Sequence, residues 1–154
     1  MRSLKLTAAL FLFSFAFFSC DKELNLEPGD YIGATTMSGS QEVPAVTTTA
    51  SGTIRVTYSQ RDKVLNYTIT WIGLSGNPTG AHIHGLAEEG VNAGILQTFN
   101  GFPAATLGSY SGTLLVDGVK FKEEYLLSGK YYANIHTAVN PGGQIRGQII
   151  LTRL

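Results

Sequence analysis

The three histidines are the residues of this sequence with the clearest capacity for chemistry. His82 and His84 lie in the segment TGAHIHG, His136 lies in YYANIHT, and the 154 residues contain no other histidine. Imidazole nitrogens are ordinary ligands of zinc and copper, and three of them with an open fourth position form a familiar metal site. We therefore treat His82, His84 and His136 as candidate metal ligands, with copper or zinc as the metal to test.

Strand alternation predicts that the three histidines lie on compatible faces. Successive side chains of a strand point to opposite faces, so residues two apart share a face. His82 and His84 therefore point the same way, and His136 shares a face with Asn134. The residues expected in the core, on the reverse faces, are Ile83, Ala133, Ile135, Ile145 and Ile149. The polar residues expected beside the histidines are Asn134, Arg146 and Gln148.

Two other uses of this polar face remain open. The histidines can form a structural network by bonding the backbone and neighbouring polar groups, or they can border a site for a small ligand or an anion. Arg146 is a fixed cation, which opposes a divalent metal ion nearby. It can equally attract a carboxylate such as Glu42 or Glu88.

The composition and motifs argue against catalysis and against nucleic-acid binding. The sequence has no Gly-x-Ser-x-Gly nucleophile elbow, and its few acidic residues fall mostly in predicted turns rather than in a carboxylate pair. Eleven basic residues balance eleven acidic ones, so no basic surplus exists to neutralise phosphates. We expect a protein that is not an enzyme and does not bind nucleic acid.

The N-terminus has the three-part build of a secretory signal. Arg2 and Lys5 precede an almost wholly apolar run over residues 6–18, which is shorter than the ~20 residues of a membrane span. The boundary between Ser19 and Cys20 resembles the cleavage site of bacterial lipoproteins, although an ordinary signal peptide with an incidental cysteine is the alternative.

A lipoprotein signal divides the chain into three parts. Residues 1–19 are then the signal peptide, lipidated Cys20 begins a polar tether over residues 20–30, and residues 31–154 form the folded domain. We expect export through the inner membrane and lipid anchoring at the cell envelope. The location is periplasmic or at the cell surface, with the outer membrane favoured.

Residues 31–154 show the pattern of an all-β protein. Alternating segments bounded by turn residues recur about every ten residues, which indicates an antiparallel sandwich or barrel of about eight strands, like superoxide dismutase or an immunoglobulin domain. The predicted strands cover residues 31–37, 50–58, 65–71, 82–84, 95–99, 108–117, 130–137 and 144–152. Residues 73–80 are predicted to be a loop, and residues 120–127 a short helix.

The short motifs, taken together, resemble the CHRD domain, a family first recognised in chordin. They include SQEVP at 40–44, AHIHG at 81–85, NIHT at 134–137 and PGGQIRGQ at 141–148, and they follow the family order from about residue 32 to 152. The resemblance implies an extracytoplasmic β-sandwich that binds or scaffolds a protein or small ligand at the envelope. It does not imply growth-factor antagonism, because this chain has no cysteine-rich modules.

The His-Ile-His segment and the final strand also look like parts of copper-zinc superoxide dismutase, a related sandwich. Three histidines cannot supply both metals of that site, and a single cysteine cannot form its disulfide. The sequence therefore argues against superoxide dismutation, while a copper or zinc protein, including a redox-related one, remains the alternative to a non-catalytic binding domain.

Overall fold

The computed structural model describes Glu27 and residues 29–154. The predicted signal peptide, the lipidated Cys20 and most of the tether lie outside the described residues. The strands are β1 (Tyr31–Ser38), β2 (Ser51–Ser59), β3 (Val64–Ile72), β4 (Pro78–Gly85), β5 (Ile95–Thr98), β6 (Gly108–Leu115), β7 (Tyr131–Thr137), β8 (Ile145–Gln148) and β9 (Thr152–Arg153). A 3₁₀ turn (Gly39–Gln41) follows β1, and a helix of one turn, α1 (Glu123–Leu127), precedes β7.

All nine strands belong to one antiparallel sheet that curls around a single core. Its order is β5-β4-β7-β8-β1-β2-β3-β6, and the short β9 pairs with β1. The two ends of this order meet through aromatic side chains. Phe99, just after β5, packs against Tyr67 of β3 and Tyr110 of β6, with ring centroids 5.1 and 5.3 Å apart. The predicted all-β fold of about eight strands is confirmed.

The alternation read from the sequence correctly predicted the core. Along β2 and β3 every second side chain is buried, so these strands turn one face inward. The predicted core residues of the histidine-bearing half, Ile83, Ala133, Ile135, Ile145 and Ile149, are all at most 1% exposed and join the same apolar cluster. Each large aliphatic side chain buried in this way stabilises the fold by about 1.5–3 kcal/mol.

Two strand boundaries differ from the prediction. The segment predicted to be a loop over residues 73–80 ends early, because β4 already begins at Pro78. Proline can occupy the first position of a strand, and a register shift between Pro78 and Gly80 absorbs the irregularity. The predicted last strand over 144–152 is divided into β8, which pairs with both β7 and β1, and β9, which pairs with β1 alone.

The predicted helix is present but shorter than expected. It covers five residues, Glu123–Leu127, and buries Leu126 against the core. Before it, the Asp117 carboxylate accepts hydrogen bonds from three successive backbone amides, which holds residues 118–121 out of the helix. Among the described residues, no helix is both long and apolar enough to cross a membrane.

Candidate metal centre

The candidate residues lie on three neighbouring strands. β7 pairs with β4 on one side and with β8 on the other, and this places His82, Asn134 and Arg146 directly opposite one another in a row. His84 and Gln148 form the next row, on either side of Tyr132. Because the core residues occupy the reverse face, all these polar side chains lie together on the opposite face of this half of the sheet.

The fold brings the three histidines together. One ring nitrogen from each of His82, His84 and His136 lies within 4.8 Å of the other two. The ring centroids are 4.8 Å apart for His82 and His136, 5.6 Å for His82 and His84, and 6.2 Å for His84 and His136. Nitrogens bound tetrahedrally to zinc at 2.0–2.1 Å lie about 3.4 Å apart. The cluster is therefore wider than a metal-filled site by an amount that side-chain rotation can close.

His84 and His136 are each fixed by a backbone carbonyl. His84 Nδ1 lies 3.0 Å from the carbonyl oxygen of Ala93, and His136 Nδ1 lies 2.9 Å from that of Pro141. A carbonyl oxygen only accepts, so Nδ1 donates in both rings. Metal-binding histidines are commonly oriented in this way, with the second nitrogen left for the metal. Here Nε2 of each ring faces the side-chain amide of Asn134, at 3.0 and 2.9 Å.

His82 differs because its buried nitrogen has no partner. Among the described side chains, His82 Nδ1 and Glu42 Oε1 are the buried polar atoms without a hydrogen bond. Burial, together with the neighbouring His136 and His84, lowers the pKa of His82 to about 4. Burial also lowers the pKa of His136, against the opposing effect of its bond to Pro141. Both shifts favour the neutral imidazole of His82 and His136, which is the form that binds metal.

Arg146 lies beside the cluster but is directed away from it by its contacts. Arg146 is 1% exposed, and its guanidinium stacks 3.4 Å from the centroid of the Tyr132 ring. His84 stacks on the same ring with centroids 4.8 Å apart, and since β7 lies between β4 and β8 the two side chains approach Tyr132 from opposite sides. Arg146 also donates to the side chains of Asn92 and Gln148 and to the carbonyl of Glu88, over 3.3–3.4 Å.

Neither predicted carboxylate pairs directly with Arg146 in the described part of the chain. The Glu88 side chain accepts a hydrogen bond from Lys130 instead. Glu42 is 5% exposed, and burial raises its pKa to about 7 despite the lowering effects of the Arg146 charge and the Asn134 amide. Glu42 also borders a cavity of about 210 Å³, which is lined by Ser40, Gln41, Glu42, Val43, Glu89, Gly90, Arg146 and Gln148.

Some parts of this site carried little or no sequence signal. Tyr132 shares the alternation of Asn134 and His136, so its face was predictable, but its position between His84 and Arg146 was not. Ala93 and Pro141 contribute only carbonyl oxygens, which any residue possesses. The structure thus adds two backbone acceptors and the stacking position of Tyr132 to the residues singled out from the sequence.

The donor set fits a transition metal better than a hard cation. Three neutral imidazoles suit zinc or copper, whereas calcium and magnesium require oxygen ligands. The unpartnered His82 Nδ1 and the Nδ1 donors of the other two rings are consistent with such a site.

Comparison with known proteins gives the family of this fold. A sequence model of the CHRD domain matches residues 34–149, a region that includes every strand from β2 to β8 and all three histidines. No curated protein and no solved structure matches the chain. Since the match spans well over half of the sequence, this chain belongs to the CHRD domain family.

Proposed function

We propose that this CHRD domain is a non-catalytic binding module that holds one zinc or copper ion through His82, His84 and His136. The single observation that carries the proposal is the convergence of the three rings, with ring nitrogens within 4.8 Å of one another. A purely structural polar network explains His84 and His136, which both have partners. It leaves His82 Nδ1 buried and without a hydrogen bond, which is costly for a polar atom.

The chemistry expected of such a site is binding rather than turnover. The ion would supply a positive charge and an open coordination position for a further ligand. The three uncharged imidazoles would hold it beside the buried Arg146. Two features support a binding role: the absence of a nucleophile motif from the sequence, and the family to which the domain belongs.

Metal uptake by the purified protein tests this proposal. After chelator treatment, calorimetry and elemental analysis with Zn²⁺ and Cu²⁺ should give one ion per chain, and replacing all three histidines by alanine should abolish uptake. The exposed Glu89 provides a matched control, because Glu89→Gln removes a nearby carboxylate and leaves the rings in place. No uptake by the wild type, or unchanged uptake by the triple variant, would refute the site.

A single substitution tests the same site if the triple variant fails to fold. His82→Ala removes the ring whose Nδ1 has no partner, so it sacrifices no hydrogen bond from that atom. We expect it to keep the native fluorescence of Trp71, the only tryptophan, and to lose metal binding. Retention of full affinity in a folded His82→Ala protein would contradict the three-histidine site.

We also propose that the domain is held at the cell envelope by lipid on Cys20. The support is the sequence of residues 1–20, in which a basic start and an apolar run precede Ser19-Cys20. Two or more acyl chains on one residue anchor a protein firmly, whereas one does not. Cys20→Ser should move the protein from the membrane fraction to the soluble fraction and abolish incorporation of labelled fatty acid. Membrane association unchanged by this substitution would refute the anchor.

A further inference from the structure

Asn134 occupies the centre of the three-histidine cluster. It lies on β7, directly opposite His82 on β4, and is 2% exposed. Its side-chain amide reaches two rings at once, with Oδ1 placed 3.0 Å from His84 Nε2 and 2.9 Å from His136 Nε2. Whether an oxygen or an NH₂ group faces the rings decides what those two nitrogens can do.

The other nitrogens of the two rings settle what kind of atom must face them. His84 Nδ1 and His136 Nδ1 donate to the carbonyl oxygens of Ala93 and Pro141. A neutral imidazole has one N–H, so Nε2 of each ring carries a lone pair and cannot donate to an oxygen. Protonating both rings instead would place two cations 6.2 Å apart, centroid to centroid, in a partly buried site. The atom between the two Nε2 atoms must therefore be a donor.

The amide of Asn134 supplies that donor after a half-turn. Oxygen and nitrogen of a side-chain amide are distinguished only by their hydrogen-bond partners, and an NH₂ group has two hydrogens, one for each ring. The half-turn moves the amide oxygen to the side where Glu42 lies. Glu42 Oε1 is buried there without a partner, and burial raises the pKa of Glu42 to about 7, so its carboxyl can donate to that oxygen.

We propose that Asn134 is the positioning residue of the metal site: its NH₂ group faces His84 Nε2 and His136 Nε2, its oxygen faces the Glu42 carboxyl, and the two ring lone pairs stay directed at the metal position. This assignment rests on the proposed function, since it explains how the ligands are kept ready for an ion. A bound metal ion would take the place of the two amide hydrogen bonds once the Asn134 side chain moves aside, and both rings would keep their Nδ1–H bonds to the backbone.

Gly143 makes room for this arrangement. A Cβ at position 143 would overlap the Glu42 carboxyl and lie 2.7 Å from the atom of the Asn134 amide on the Glu42 side, which is the oxygen after the half-turn, and the backbone there has φ +127°. Only glycine allows the carboxyl and the amide to lie against the same stretch of backbone. The sequence feature that precedes the final strand, Pro141-Gly142-Gly143, thus serves the site as well as the turn.

Nuclear magnetic resonance of the chelator-treated, ¹⁵N-labelled protein tests the assignment. Multiple-bond ¹H–¹⁵N spectra distinguish protonated from unprotonated ring nitrogens. At neutral pH, His84 and His136 should carry hydrogen on Nδ1 and none on Nε2. A hydrogen on Nε2 of either ring in the wild type would overturn the proposal, and this measurement needs no variant to fold.

Two variants give the contrast that a merely structural role would not produce. Asn134→Asp replaces the donor by an acceptor of nearly the same shape, so at least one of the two rings should gain a second proton, on Nε2. Glu42→Gln keeps a donor toward the amide oxygen and should leave the ring protonation unchanged. Asn66→Asp, the same chemical change on the distant strand β3, is the control. Unchanged ring protonation in folded Asn134→Asp would count against the proposal.

Zn²⁺ binding is measured in a separate experiment, so that the metal function and the role of Asn134 can be refuted independently. If the rings show the expected protonation but Zn²⁺ does not bind, the proposed metal function is wrong and the hydrogen-bond assignment stands. If Zn²⁺ binds while Nε2 of the empty site carries hydrogen, the metal function stands and the role of Asn134 is wrong.

Discussion

Replacing Glu42 by glutamine should change how the stability of this protein depends on pH. Glu42 is 5% exposed, and its pKa rises from the ordinary 4.5 to about 7 because burial disfavours the charged form. Such a rise corresponds to about 3 kcal/mol of preference for the protonated carboxyl in the folded state. Glutamine cannot ionise, so the variant lacks this pH-dependent contribution.

The sign follows from comparing the folded and unfolded states. Below pH 4.5 the carboxyl is protonated in both states, and the stabilising contribution of its protonation is fully present. As the pH rises through 4.5 and on through about 7, the unfolded chain ionises first and this contribution is lost. The free energy of unfolding of Glu42→Gln, minus that of the wild type, should therefore increase by about 3 kcal/mol between pH 4 and pH 8.

Urea unfolding followed by Trp71 fluorescence, in chelator and at several pH values, measures this difference. Trp71 is 4% exposed and is the only tryptophan, so its emission reports loss of the core. All other ionisable groups are the same in both proteins, so their contributions cancel from the difference. Glu89→Gln, at the exposed rim of the same cavity, should give a curve parallel to that of the wild type. A difference between Glu42→Gln and wild type that stays constant with pH would refute the buried, protonated carboxyl.

Three further outcomes are expected. Gly143→Ala should lower the free energy of unfolding by about 1–3 kcal/mol in urea unfolding because its Cβ meets other atoms at a strained φ, whereas Gly142→Ala, with nothing within 4 Å, should be nearly neutral. Ile135→Ala should cost about 2–5 kcal/mol by the same assay, and Ile72→Ala, at 60% exposure, under about 0.5 kcal/mol. The lowered pKa of His82 should make the metal-free protein lose stability as the pH falls from about 6.5 to about 4. Urea unfolding of Glu42→Gln is the best measurement of this loss, because that variant lacks the buried carboxyl whose protonation gives the opposite trend.

The sequence predicted the strands well wherever a long strand keeps the same partner on each side along its whole length. β2 and β3 alternate cleanly because each buries one face against the core along its full length. The prediction was less accurate for the last strand. β8 and β9 look continuous in sequence, but the pairing with β7 ends after β8 and β9 pairs with β1 alone, and periodicity carries no information about partners.

The sequence predicted which strand face each candidate residue occupies, but it did not predict which atoms those residues contact. Alternation grouped His82 with His84 and His136 with Asn134, and the structure places all four on one side of the sheet. The carbonyl oxygens that orient two of the rings come from the loops that follow those histidines, at Ala93 for His84 and at Pro141 for His136. Such contacts depend on loop paths, which residue types alone do not determine.

By itself, the sequence determined that this chain is an all-β domain whose histidines share polar strand faces opposite an aliphatic core. That much follows from the two-residue period of a strand and from the cost of burying polar side chains. Only the tertiary structure decided that β4 and β7 are neighbours, which brings one nitrogen of each ring within 4.8 Å of the other two. It also decided that Glu42 is buried against Asn134 and Arg146, because loop packing removes its carboxyl from water.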